Sequence, residues 1–192
     1  MIPLLPAFVL LQPQLAAPEP PDSWLVPALH ATGVMVAMRV GVAVIWPDPF
    51  AETDPDVVGR NYRDSYTMPP RWDARRPVFE SDGGPWWLNV FGHGAFGSEV
   101  HLRARTCGHG ALASFALGTA ASTLWEYVVE ANAARPSGID LLYTPIAGLA
   151  LGETRFALWR ASRALNPGAL RTTLTILFDP LGELERALGT DC

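Results

Sequence analysis

Apolar positions along this chain gather into long, nearly uninterrupted runs, separated by shorter polar stretches that proline marks at their edges. The first clear run covers residues 28–46 and holds Arg39 as its only full charge, with His30 near the start. Its length matches the roughly 20 residues a helix needs to cross a bilayer. Trp46-Pro47-Asp48-Pro49 closes it, because two prolines this close cannot continue a helix. Residues 50–85 are polar and rich in Asp, Arg and Pro, and read as a surface loop with short turns. A second segment, 86–105, carries Glu99, His101, Arg103 and Arg105 in its second half, the pattern of an amphipathic helix lying partly in an interface.

The third segment, 111–131, is apolar and small-residue-rich apart from Glu126 and Glu130, and predicts a helix. Arg135-Pro136-Ser137 stops it and opens a fourth, from residue 139 past Glu153 towards Arg163. Asn166-Pro167-Gly168 is a turn, 170–178 fits strand or helix equally, and Asp179-Pro180 precedes a short terminal helix over 181–188. The expected fold is therefore all-α: a small membrane-associated bundle of about four main helices, with a long polar loop after the first. Residues 1–20 read as a signal peptide or apolar tail, 21–27 as a proline-rich spacer, 28–165 as one helical domain and 166–192 as a C-terminal segment.

Composition sharpens this picture. Charged residues make up 17% of the chain against 49% hydrophobic, and the mean hydropathy of +0.15 favours contact with membrane lipid. Fourteen scattered basic residues under a net charge of -5 leave no footprint for nucleic acid. There is no Gly-Lys-Ser/Thr run and no dinucleotide fingerprint, so nucleotide binding is not expected either. The apolar start, ending in small residues before Pro18-Glu19-Pro20-Pro21, resembles a secretory signal, so export is expected, with a membrane-associated, periplasm-facing site in the cell envelope. Cys107 and Cys192 lack metal-ligand spacing, and whether they pair is left open.

Chemistry concentrates in four places. Glu126 and Glu130 are four apart, so on an α-helix they share a face that Ser122 extends. A dehydrated acidic pair needs protonation, a cation or a metal to compensate it, and His93, Arg39, Arg155 or a divalent metal ion could serve. Ser137-Gly138-Ile139-Asp140 has the spacing of a capping box after a proline. Asp140, Thr144, Gly148 and Gly152 recur every four residues, a ridge that lets another helix come close and admits a homo-oligomer or an envelope protein partner. His93 stands between Gly92 and Gly94. Standard hydrolase and zinc signatures are absent.

The ordered series Gly92-His93, Trp125-Glu126-Tyr127, Glu130, Pro136-Ser137, Asp140-Leu141, Thr144-Pro145, Gly148 and Gly152-Glu153 resembles the bacterial domain-of-unknown-function family 3943. Trp46-Pro47, Pro70-Arg71-Trp72-Asp73 and Trp87-Leu88-Asn89 extend the likeness upstream. Gly94 departs from the proline that follows the histidine in that family. More distantly the series is similar to VanZ-like envelope membrane proteins. The resemblance implies a helical envelope protein in which His93, Glu126, Glu130, Ser137, Asp140 and Glu153 converge.

Two readings follow. In the first, the His/Glu/Asp cluster stabilises the bundle or an assembly. In the second it serves a metal-assisted or general acid/base enzyme acting on an envelope lipid or lipid-linked glycan. There His93, Glu126 and Asp140 would do the chemistry, Glu130, Ser137, Thr144 and Glu153 would support them, and His93, Glu126, Glu130 and Asp140 are the candidate ligands of a divalent metal.

Overall fold

The computed structural model describes residues 23–190 and 192, and every regular element among them is helical. The segment 1–20, expected to be a signal peptide or apolar tail, lies outside the described residues. Helix α1 (Leu25–Ile45) stops at Trp46, where Pro47 follows. It buries one stripe, Pro27, His30, Ala31 and Met35, and leaves Leu29, Val36, Val40 and Val44 exposed. A short helical turn, α2 (Pro47–Phe50), leads to α3 (Pro55–Thr67). Helix α3 corrects the reading of 50–85 as loop. Its polar composition hides the helix, yet its start is explicit: Asp54 accepts from the backbone N–H groups of Asp56 and Val57, and Pro55 takes the first helical position.

Helix α4 (His93–Thr106) follows a π-helical turn, Leu88–Gly92. The expected amphipathic helix in an interface is instead buried on every side, with eleven of its fourteen residues enclosed. Partners on other helices make that burial tolerable. Glu99 Oε2 meets Arg155 Nη2 at 2.7 Å, His101 Nε2 meets Glu153 Oε1 at 2.7 Å, and Arg103 Nη2 meets Glu185 Oε2 at 2.8 Å.

Helix α5 (Ala111–Leu124) runs into a second π-helical turn, Trp125–Val129, and α6 (Gly138–Arg163) begins under the Ser137 cap, whose hydroxyl accepts from Asp140 N–H. Pro145 sits inside α6 without ending it. The small-residue ridge of α6 meets α4 almost backbone to backbone. A methyl group on Gly148 would lie 2.7 Å from the Gly97 carbonyl oxygen, and one on Gly152 would lie 2.7 Å from the His101 ring.

Helix α7 (Ala169–Phe178) resolves the strand-or-helix ambiguity, and α8 (Pro180–Ala187) is capped by the buried Asp179, which also pairs with Arg186. Cys107 at the end of α4 is disulfide-bonded to Cys192. Among the described residues there are eight α-helices where about four were expected; the longest, α1, α4, α5 and α6, fall in segments expected to be helical. Polarity is inverted in this bundle. Among the described residues 20 buried side chains are polar or charged and 14 are hydrophobic, while 30 large hydrophobic residues are exposed.

Candidate metal centre

Three chain segments meet at the end of the bundle where α4 and α6 begin and α5 ends. His93 is the first residue of α4, Glu126 lies in the π-helical turn after α5, and Asp140 is in the first turn of α6. All three are buried, and one donor atom from each lies within 4.8 Å of the others. His93 Nε2 is 3.6 Å from Asp140 Oδ2. Both π-helical turns adjoin the site, a irregularity that recurs at functional positions because the extra residue redirects a side chain.

Each donor is held from behind. His93 Nδ1 lies 3.0 Å from Thr144 Oγ1, which leaves Nε2 facing the carboxylates. Glu126 Oε2 accepts from the Ser137 backbone N–H at 2.7 Å, and the Ser122 hydroxyl donates to the Asp140 carbonyl at 3.3 Å. Two buried carboxylate oxygens, Glu126 Oε1 and Asp140 Oδ1, remain without a hydrogen bond, while Asp140 Oδ2 is the oxygen that faces His93 Nε2.

Electrostatics at the site disfavour charge unless a cation is added. Burial, with the charges of Glu130 and Asp140, holds the Glu126 carboxyl well above the usual carboxylate range. Burial raises Asp140 to about 7 and also raises Glu130, and it lowers the pKa of His93. Arg71 offers the one opposing guanidinium charge felt by all three carboxylates. Its backbone is bridged to the start of α6, Arg71 N–H donating to Pro136 and Gly138 N–H donating to Arg71. The compensating cations considered from sequence are engaged elsewhere: Arg39 donates to Phe50 and Asn132, and Arg155 pairs with Glu99.

The structure thus brings His93, Glu126, Ser137, Asp140 and Thr144 together. Glu130 stands beside them, its charge acting on Glu126 and His93, and its carboxylate accepts from Trp125 Nε1 at 2.6 Å. Glu153 belongs elsewhere: it lies farther along α6, bonded to His101 and Arg105. Sequence reasoning missed Asp82. This buried carboxylate interacts with Asp140 and is fixed by Asn89 Nδ2 and Gly84 N–H, each at 2.9 Å. The signal was the Ser81-Asp82-Gly83-Gly84 turn, in which an Asp side chain binds the backbone two residues on.

No curated protein and no solved structure matches this chain. The sequence profile described as Domain of unknown function (DUF3943) matches residues 78–181, which span the Asp82 turn, His93, Glu126 and Asp140 and continue to the start of α8. More than half of the chain lies within that match, and the chain belongs to the DUF3943 family.

Proposed function

We propose that this protein is a cell-envelope membrane protein whose bundle is clamped at one end by a divalent cation held between His93, Glu126 and Asp140. The observation that carries the metal reading is the convergence of buried donor atoms of His93, Glu126 and Asp140 within 4.8 Å of one another, with the carboxylate oxygens Glu126 Oε1 and Asp140 Oδ1 left without a hydrogen bond. Unpaired buried acceptors cost several kcal/mol each when charged, and one divalent ion satisfies both. At metal–ligand distances near 2.1 Å, donors in a tetrahedral or octahedral shell sit about 3.0–3.4 Å apart. From donors within 4.8 Å of one another, a contraction of up to about 1.4–1.8 Å reaches that spacing. Two carboxylates with one imidazole suit Mn²⁺ or a comparable hard-to-borderline ion. Thr144 and Ser137 supply the outer hydrogen bonds that orient such ligands. Three protein donors leave positions for water, as in hydrolytic centres, which keeps metal-assisted chemistry on an envelope lipid as the second reading.

Membrane embedding is supported by the inverted polarity. Helix α1 is long and apolar enough to cross a bilayer. Trp24 and Trp46 flank it, 22 residues or about 33 Å apart along a helix, close to the thickness between the two aromatic belts of a membrane. Exposed leucines and isoleucines from Leu112 to Leu124 on α5 and from Leu142 to Leu158 on α6 continue the apolar band.

Elemental mass spectrometry of detergent-purified protein tests the metal reading. Wild type is expected to carry about one divalent ion per chain, and a Glu126→Gln, Asp140→Asn double variant that keeps its helical content is expected to carry none. Metal-free wild type after purification in metal-supplemented buffer, or an unchanged content in the variant, would contradict it.

A further inference from the structure

Two aromatic contacts fix how α1 and α4 are matched end to end. At the start of α1, Trp24 stacks on His109 with ring centroids 3.5 Å apart, and the Ser23 carbonyl oxygen lies 3.3 Å from His109 Nε2. At its end, Trp46 meets Trp87 at 5.5 Å. His109 follows the end of α4, and Trp87 precedes the π-helical turn that leads into it, so the two helices run antiparallel. The spans agree, since Trp24 to Trp46 and Trp87 to His109 are each 22 residues. The start of α4, with His93, therefore lies at the Trp46 end of α1.

That end gathers exposed rings. Trp86 adjoins Trp87 in sequence and meets Phe91 at 6.0 Å. All four side chains, Trp46, Trp86, Trp87 and Phe91, are exposed, Phe91 at 65%. Phe91 precedes His93 by two residues, about 3 Å along a helix axis. The chain just before Trp86 is polar, with Asp73, Arg75, Arg76 and Asp82, whereas α1 just before Trp46 is apolar and exposed at Val40 and Val44.

Exposed indole and phenyl rings at the junction of apolar helix surface and polar chain have the placement of side chains in a membrane–water interface, where an amphipathic ring sits at the level of the lipid headgroups. A docked protein would give no reason for the rings to coincide with one end of a helix of bilayer length; a bilayer does, and the exposed face of α1 runs into them without a break. Resting on the membrane reading above, we infer that Trp46, Trp86, Trp87 and Phe91 form an aromatic anchor in the headgroup layer of a phospholipid bilayer. The anchor holds the end of the bundle that carries His93, Glu126 and Asp140 at that level.

Spin-label depth in phosphatidylcholine vesicles tests this, and none of its readings depends on a bound metal. Cys107 and Cys192 are bonded to each other, so an introduced cysteine is the sole thiol to take a nitroxide. Labels at Trp86→Cys and Leu142→Cys report on the anchor and on the site end of the bundle; Leu142 is exposed and follows Asp140 by two residues. Labels at Val36→Cys and Arg75→Cys mark the bilayer core and the water. Depth is read by power-saturation electron paramagnetic resonance, as the ratio of collisions with oxygen, which concentrates in the core, to collisions with a water-soluble nickel chelate. The Trp86 and Leu142 labels are expected within about 7 Å of the lipid phosphates, the thickness of one interfacial layer. The Val36 label is expected about 15 Å below the level of Trp46, ten residues along α1. With the Val36 label in the core, a Trp86 label as open to the chelate as the one at Arg75, or a Leu142 label as deep as the one at Val36, would overturn the anchor. A Val36 label open to the chelate would contradict the membrane reading itself, and the anchor with it.

Discussion

Stripped of divalent cations by a chelator, the protein should lose about 10 °C in Tm between pH 5 and pH 8. The sign follows from the carboxyl groups at the proposed metal centre. Burial raises the folded-state pKa of Asp140 from 3.8 to about 7, so the folded protein holds that proton where the unfolded chain has released it. The stability this contributes is complete below about pH 4 and is lost as pH rises to 7. The full gap is worth roughly 4 kcal/mol, at about 1.4 kcal/mol for each tenfold change, and about 3 kcal/mol of it is lost between pH 5 and pH 8. Glu126 and Glu130, raised by the same burial, add in the same direction. His93 opposes them: its pKa is lowered by burial, so below its ordinary range the unfolded chain takes up a proton that the folded protein refuses. Three raised acids outweigh one lowered base.

A bound cation should reverse this dependence. It replaces the protons on the carboxylates and needs a neutral imidazole, so its stabilisation grows with pH. At a thousandfold excess over Kd it contributes about 4 kcal/mol. Thermal melts of the chelated protein and of protein with added Mn²⁺, each from pH 5 to pH 8, check the pair of slopes. In the Glu126→Gln, Asp140→Asn variant both curves should flatten and coincide. Identical slopes for wild type with and without metal would count against coordination by these residues.

Gly97→Ala should destabilise the protein by about 3 kcal/mol or more, at the upper end of the cost of overpacking a core, and should lower metal affinity with it. A methyl group at Gly97 would collide with the Thr144 carbonyl oxygen, a backbone atom that no rotamer change can move. Relief requires α4 and α6 to separate, and those helices carry His93 on one side and Thr144 and Asp140 on the other. Gly118→Ala is the comparison: a methyl there meets nothing within 4 Å, and it replaces glycine in a helix interior, so it should be neutral or slightly stabilising. Chemical denaturation and metal titration of both variants separate close packing from a general intolerance of substitution.

The apolar runs were enough to locate α1, α5 and α6, because a helix buried or lipid-facing on most sides leaves an unmistakable pattern. Helix α3 was obscured by its own polarity, although Asp54-Pro55 is a start signal that does not depend on hydrophobicity. The central position of α4 was not legible. Glu99, His101 and Arg103 look like a wet helix face until Arg155, Glu153 and Glu185 are brought against them, and those partners lie far along the chain. At the metal centre the short motifs around His93, Glu126 and Asp140 pointed to residues that do converge. Glu153 carries the same kind of motif, Gly152-Glu153, but sits farther along α6 and faces His101 and Arg105 instead. Asp82 lay in a stretch read as loop, and only its placement over the start of α6 exposes it as part of the site.

The most direct test of the central claim is electron paramagnetic resonance of the protein loaded with Mn²⁺, comparing natural-abundance samples with samples carrying nitrogen-15 histidine. Coordination by His93 gives the manganese a nitrogen coupling that changes with the isotope and vanishes in His93→Ala, while the Glu126→Gln, Asp140→Asn variant binds no ion. A manganese spectrum with no histidine nitrogen coupling, or one unchanged in His93→Ala, would contradict a metal centre built from His93, Glu126 and Asp140.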